Sequence, residues 1–134
     1  MHVMSAILGD VTGATLRDRH AVSFDVGARR WLDAHPRASR LFIAYMSSRA
    51  CCNGARVCDV RIRVETDAAQ PHMHGVNWAS LGEVEGHEVM LDTRLTERMP
   101  AELRFIRRGA GPFGHLDLDL TGEQWADVLY PRSR

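Results

Sequence analysis

Lysine is missing from this 134-residue chain, whose 17 basic residues are all arginine. Schiff-base chemistry, which needs a lysine amine, is therefore closed to it. A charge surplus is missing too, because 17 Asp and Glu balance those arginines to a formal net charge of zero. Binding to nucleic acid draws most of its affinity from basic side chains facing phosphates, so a neutral chain is not expected to bind nucleic acid in the usual way. No apolar run approaches the length that crosses a bilayer, and no membrane association is expected. Residues 1–13 show an apolar patch at Val3–Leu8. They lack the basic flank and long apolar stretch of a secretory leader, so we expect a cytoplasmic protein with reduced thiols. Also missing are Gly-x-Ser-x-Gly, His-Glu-x-x-His and Cys-x-x-Cys, the local signatures of serine hydrolases, zinc proteases and redox or zinc-knuckle sites.

Cysteine is scarce but concentrated: Cys51, Cys52 and Cys58 fall within eight residues. A soluble domain of this length buries roughly 65–70% of the surface its unfolded chain exposes, enough to fold without disulfides or a structural metal. The thiols therefore point to metal, redox or sulfur chemistry before they point to staples.

Periodicity supplies the architecture. Residues 1–22 show no sustained period and read as an N-terminal arm, with a single domain over residues 23–134. Ser23 is a candidate helix cap, followed at helical spacing by Phe24, Ala28, Trp31 and Leu32 until His35 and Pro36. Arg40–Met46 is nearly continuous apolar sequence, as in a strand covered on both faces. Asn53-Gly54 is a strong tight-turn signal. Beyond it, 57–65 alternates, with Cys58, Val60, Ile62 and Val64 on one face. The two strands make a hairpin that carries Cys51 and Cys52 at its tip. After a loop over 67–75, short strands are expected at 76–81 and 87–91, a short helix at 93–99, and strands at 103–107 and 113–120. Gly109–Gly114 reads as a hairpin loop. Thr121 and Gln124 form a capping box for a last helix that Pro131 ends. The expectation is a β-rich α+β domain of mixed and antiparallel strands, with an N-terminal helix and short flanking helices.

Two adjacent cysteines in a polar loop beside Arg49 and Arg56 are poorly explained by packing. Near positive charge, the thiolate fraction of a cysteine rises above the roughly 3% that an unperturbed thiol shows at pH 7. The plain alternative is a pair of small residues filling a turn. Successive side chains on extended backbone point to opposite faces, so one of the pair is expected as a direct ligand. Cys58 shares its face with apolar neighbours and reads as a small buried residue or a further ligand. His72 and His74 lie on one side of an extended segment, a spacing compatible with chelating a transition metal, or with an ordinary wet loop. His87 reads as a core or edge residue. His115, alternating with Asp117 and Asp119, lies on a polar stripe that could supply a ligand.

The order of helix, apolar strand, Cys-bearing turn, strand, and later Glu88–Asp92, Ala101–Phe105 and Phe113–Leu116 resembles the HesB-like, A-type iron–sulfur carrier fold over about residues 23–120. The segment Ala50-Cys51-Cys52-Asn53-Gly54 matches that family's Gly-Gly-Cys-x-Gly hairpin, with Cys52 in the place of its cysteine. It is closer still to a related bacterial group with a Cys-Cys-Asp-Gly loop. The resemblance implies a carrier or accessory protein that binds an iron–sulfur cluster or a single transition-metal ion, exchanges it with a donor or acceptor protein, self-associates, and is not an enzyme. The family's C-terminal Cys-Gly-Cys has no counterpart, since no cysteine follows Cys58. A site here would join the loop thiols to a histidine, His74, His87 or His115, or would use one thiol differently. A cysteine-dependent enzyme or sulfur-transfer protein, with Cys51 or Cys52 as nucleophile, is the second expectation. A non-catalytic interaction domain is the third.

Overall fold

The computed structural model describes residues 19–49, 56–66 and 75–130, with 47–49, 56 and 57 described by their backbone alone. The elements are β1 (Ala21–Phe24), α1 (Val26–Asp33), β2 (Arg40–Arg49), β3 (Arg56–Glu65), β4 (Trp78–Val84), β5 (His87–Asp92), β6 (Glu102–Arg108), β7 (His115–Leu118) and α2 (Gly122–Leu129). They form two sheets, one in the order β3-β2-β5-β4 and one in the order β1-β6-β7. The β2–β5 and β1–β6 pairs are parallel, and the other pairs are antiparallel. This is the mixed, β-rich α+β architecture expected from the periodicity.

One apolar cluster joins both sheets and both helices. Leu41, Ile43, Val89 and Leu91 from the first sheet meet Phe24, Leu103, Phe105 and Leu118 from the second, with Ala28 and Leu32 of α1 and Val128 of α2. Each of the larger side chains contributes about 1.5–3 kcal/mol by leaving water. β2 is buried on both faces from Leu41 to Ala44, which accounts for its unbroken apolar sequence.

The start of the fold differs from expectation. Ser23 is not a helix cap but part of β1, opposite Arg104 of β6. The cap is Asp25, whose Oδ1 accepts the Ala28 N–H at 2.7 Å. Ser and Asp both cap well, and a four-residue strand is too short to declare a period, so the helical spacing absorbed Phe24. Ala21 and Val22, read as arm, also belong to this strand.

Other boundaries shift for local reasons. The stretch after Asp92 makes a single 3-10 turn, Thr93–Leu95, in place of a longer helix. Even so, Leu95 and Met99 are buried on one side as expected. β4 runs through Gly82 to Val84 with a register irregularity between Ser80 and Glu83. Phe113 belongs to a 3-10 turn and is 81% exposed, so β7 begins only at His115. Gly109 enters that connection at φ +82°, where an added Cβ would lie 2.5 Å from the Phe113 carbonyl oxygen. The Thr121–Gln124 capping box forms as expected.

The β2–β3 hairpin forms, but its register is not that of a two-residue Asn53-Gly54 turn. Such a turn would set Tyr45 opposite Ile62, whereas Tyr45 faces Val60 and the ladder runs out to Arg49 opposite Arg56. The slip is two residues, an even number, so every side chain keeps its expected face.

Candidate functional site

Parallel pairing between β2 and β5 ends at Ile43 opposite Leu91, while β2 continues, among the described residues, against β3 alone. Beyond that point Tyr45 needs partners for both of its main-chain groups. Side chains supply them. Asp92, fully buried, accepts the Tyr45 N–H on Oδ2 at 3.2 Å, and Arg94 donates Nη2 to the Tyr45 carbonyl at 3.0 Å. The two side chains are themselves paired, with Arg94 Nη2 to Asp92 Oδ2 at 2.7 Å and Nε to Oδ1 at 3.0 Å. An ion pair thus takes the place of the next rung of the sheet. Burial pushes the Asp92 carboxyl up, but the Arg94 guanidinium and the N–H groups of Arg94 and Tyr45 outweigh it and hold the carboxyl below its ordinary range.

Fixed in this way, the Tyr45 side chain lies between cations and a thiol. The guanidinium carbons of Arg94 and Arg98 each lie 5.2 Å from the Tyr45 ring centroid. Arg98 is tied to α2 by a 3.3 Å hydrogen bond to the Val128 carbonyl. The Tyr45 hydroxyl donates to Cys58 Sγ at 3.2 Å. Cys58 is half-buried on the core-facing side of β3, diagonally across from Tyr45. The hydrogen bond to the Cys58 sulfur, and then burial, push the Tyr45 phenol above its ordinary value, with Arg98 acting in the opposite direction. The Cys58 sulfur thus receives an O–H from a ring that Arg94 and Arg98 frame.

Of the candidates named from the sequence, Cys51, Cys52, His72 and His74 lie outside the described residues. Cys58 is part of the cluster just described. His115 is exposed on β7, its Nδ1 3.2 Å from the Phe113 carbonyl oxygen. It lines a cleft that Cys58 does not line. His87 meets the Phe24 ring edge-on at 6.1 Å, as an edge residue of the core. Among the described residues no three His, Cys, Asp or Glu side chains gather as a ligand set.

Tyr45, Asp92, Arg94 and Arg98 were not named as site residues from the sequence. Asp92-Thr93-Arg94 had one usable signal, an acidic cap followed by an arginine two residues on, and Arg94 and Arg98 sit four apart. Nothing local connects them to Tyr45, 47 residues away from Asp92. Among the described residues no helix is long and apolar enough to cross a membrane. Comparison with protein-family models, curated proteins and solved structures finds no match.

Proposed function

We propose that the chain is a metal- or iron–sulfur-binding accessory protein whose β2–β3 hairpin supplies the thiolates. Cys52 is the principal ligand, Cys51 is next, and Cys58 stands at the base. The supporting observation is the Tyr45 hydroxyl 3.2 Å from Cys58 Sγ, both on this hairpin, with Arg94 and Arg98 from the segment after β5 framing the Tyr45 ring. Hydrogen bonds to ligand sulfurs, and positive charge near them, stabilise thiolate ligands and tune what they bind. A HesB-like relationship, a donor or acceptor protein, self-association and a cytoplasmic setting belong to this reading. Anaerobic purification followed by metal and sulfide analysis tests it. Stoichiometric metal that is lost in Cys52→Ser is the expected result. Metal that is insensitive to that change, or none under any loading condition, overturns it.

The same arginines favour a second reading, in which one hairpin thiol is a nucleophile for sulfur transfer or covalent catalysis. It calls for one thiol that alkylates fast near neutral pH in metal-free protein. Uniformly slow alkylation of Cys51, Cys52 and Cys58 counts against it.

A further inference from the structure

Ala28 and Leu32 turn one face of α1 to the core, and the neighbouring face looks onto the connection between β6 and β7. Gly27, Arg30, Trp31 and His35 follow one another along that face at spacings of three, four and one, and with Arg107 and Gly114 they line a cleft of about 410 Å³. Small-ligand sites run from about 300 to 1,000 Å³.

Hydrogen bonds and close packing hold the walls in place. Trp31 Nε1 donates to the Gly114 carbonyl at 3.0 Å, which ties the helix to the β6–β7 connection. His35 stacks on Trp31, with ring centroids 3.9 Å apart and planes 16° from parallel. Its Nδ1 lies 2.7 Å from the Trp31 carbonyl oxygen, which only accepts, so Nδ1 carries the proton and Nε2 has no partner among the described residues. Arg107 lies across Gly114, where an added Cβ would come within 2.8 Å of Nη2, Nε and Cζ. Its Nη2 also donates to the Gly111 carbonyl at 3.3 Å.

This cleft is positive and has no counter-charge of its own. Among the described residues neither Arg30 nor Arg107 makes an ion pair, and no Asp or Glu lines the cleft. The carboxylates nearby are engaged elsewhere: Asp25 Oδ1 caps the Ala28 N–H at 2.7 Å, and Glu85 holds Arg29 at 2.9 Å. In the larger cleft beside β3 the arrangement is reversed, because Asp59 and Asp117 pair with Arg61 and Arg108.

We propose that the α1 cleft binds a small phosphate monoester that carries a flat ring, with the phosphate between Arg30 and Arg107 and the ring against Trp31 and His35. A phosphate monoester brings a charge of about −1.5 to −2 at pH 7 and three acceptor oxygens, which match two forked guanidiniums better than a single carboxylate does. The aromatic pair supplies a surface on which a ring stacks, a contact that accepts many ring types. The site stands independently of the thiol reading, because no cysteine lines it.

Phenyl phosphate titrated into the full chain, and followed by the indole N–H signals in two-dimensional proton–nitrogen NMR, tests this. The Trp31 signal is assigned by its disappearance in Trp31→Phe. Saturable binding that shifts this signal and leaves those of Trp78 and Trp125 in place is expected. Affinity should fall roughly tenfold in Arg30→Gln and in Arg107→Gln, and stay unchanged in Arg37→Gln, an exposed arginine outside the cleft. Methyl phosphate keeps the charge without the ring, and benzoate keeps the ring with less charge. Each should bind roughly threefold or more weakly than phenyl phosphate. Equal binding of either, an affinity unchanged in Arg30→Gln, or no saturation by phenyl phosphate in the millimolar range overturns the proposal. Because Arg30 is exposed, an unchanged melting temperature for Arg30→Gln shows that the variant is folded.

Discussion

The two halves of β2 are continuous in sequence but differ in what holds them. From Arg40 to Ile43 the strand lies between β3 and β5, with Leu41 and Ile43 fully buried in the common core. From Tyr45 onward, among the described residues, it pairs with β3 alone, and the role of the second neighbour passes at Tyr45 to the Asp92–Arg94 pair. The first half is held chiefly by buried area and ladder hydrogen bonds, with the Arg40–Glu65 ion pair at its outer end. The second is held by charged side chains, which bring polar and titratable groups next to Cys58. The polar cluster begins where the sheet stops providing partners.

Changes in the first half should cost most. Ile43→Ala removes a fully buried side chain from a strand flanked on both sides, and should lower unfolding free energy by about 4 kcal/mol in urea titrations. A loss below about 1 kcal/mol would mean that the central strand is far more plastic than its burial implies. Asp92→Ala should come next, at about 2–3 kcal/mol. It strands the Tyr45 N–H, while Arg94, whose side chain is 49% exposed, can recover part of its loss from water.

Acid provides a gentler way to break the second half. The Asp92 carboxyl titrates lower in the folded chain than in the unfolded one, so its contribution is complete above a pH of about 4 and is lost as pH falls through the folded value. Glu65, held low chiefly by its hydrogen bond from Arg40 at the start of the first half, adds a loss of the same sign there. Denaturation curves taken at falling pH should therefore show wild-type stability dropping more steeply than that of Asp92→Asn. Parallel slopes would remove Asp92 from the acid response.

How much of this was legible in the sequence follows the same division. The first half of β2 announces itself, because Leu41 to Ala44 can be satisfied only by cover on both faces, and the alternation of Cys58, Val60, Ile62 and Val64 sets the face of β3. Leu95, Met99 and the Thr121 cap were equally plain, since each depends on neighbours within a few residues. β1 was hidden because its pairing partner lies some 80 residues away and its four residues carry no pattern of their own. The cluster around Cys58 was hidden for the same reason. Its arginines and Asp92 reach Tyr45 only through the parallel β2–β5 crossing, and a hydrogen bond from a phenol to a thiol leaves no spacing to read.

The smallest effect on stability should carry the most information about chemistry. Tyr45→Phe keeps the ring, its contacts with Arg94 and Arg98, and the backbone bonds to Asp92 and Arg94, and removes only the hydroxyl that reaches Cys58. One hydrogen bond of this kind is worth about 0.5–1.5 kcal/mol, so the melting temperature should move little. That bond is a direct contact with the sulfur, so its loss should change the reactivity of Cys58, slowing its alkylation roughly three- to tenfold at neutral pH. Peptide mapping after timed iodoacetamide labelling separates Cys58 from Cys51 and Cys52. A faster Cys58 in the variant would mean that the hydroxyl chiefly shields the sulfur. The outer half of β2 would then protect a thiol, and Arg94 and Arg98 would serve the strand alone.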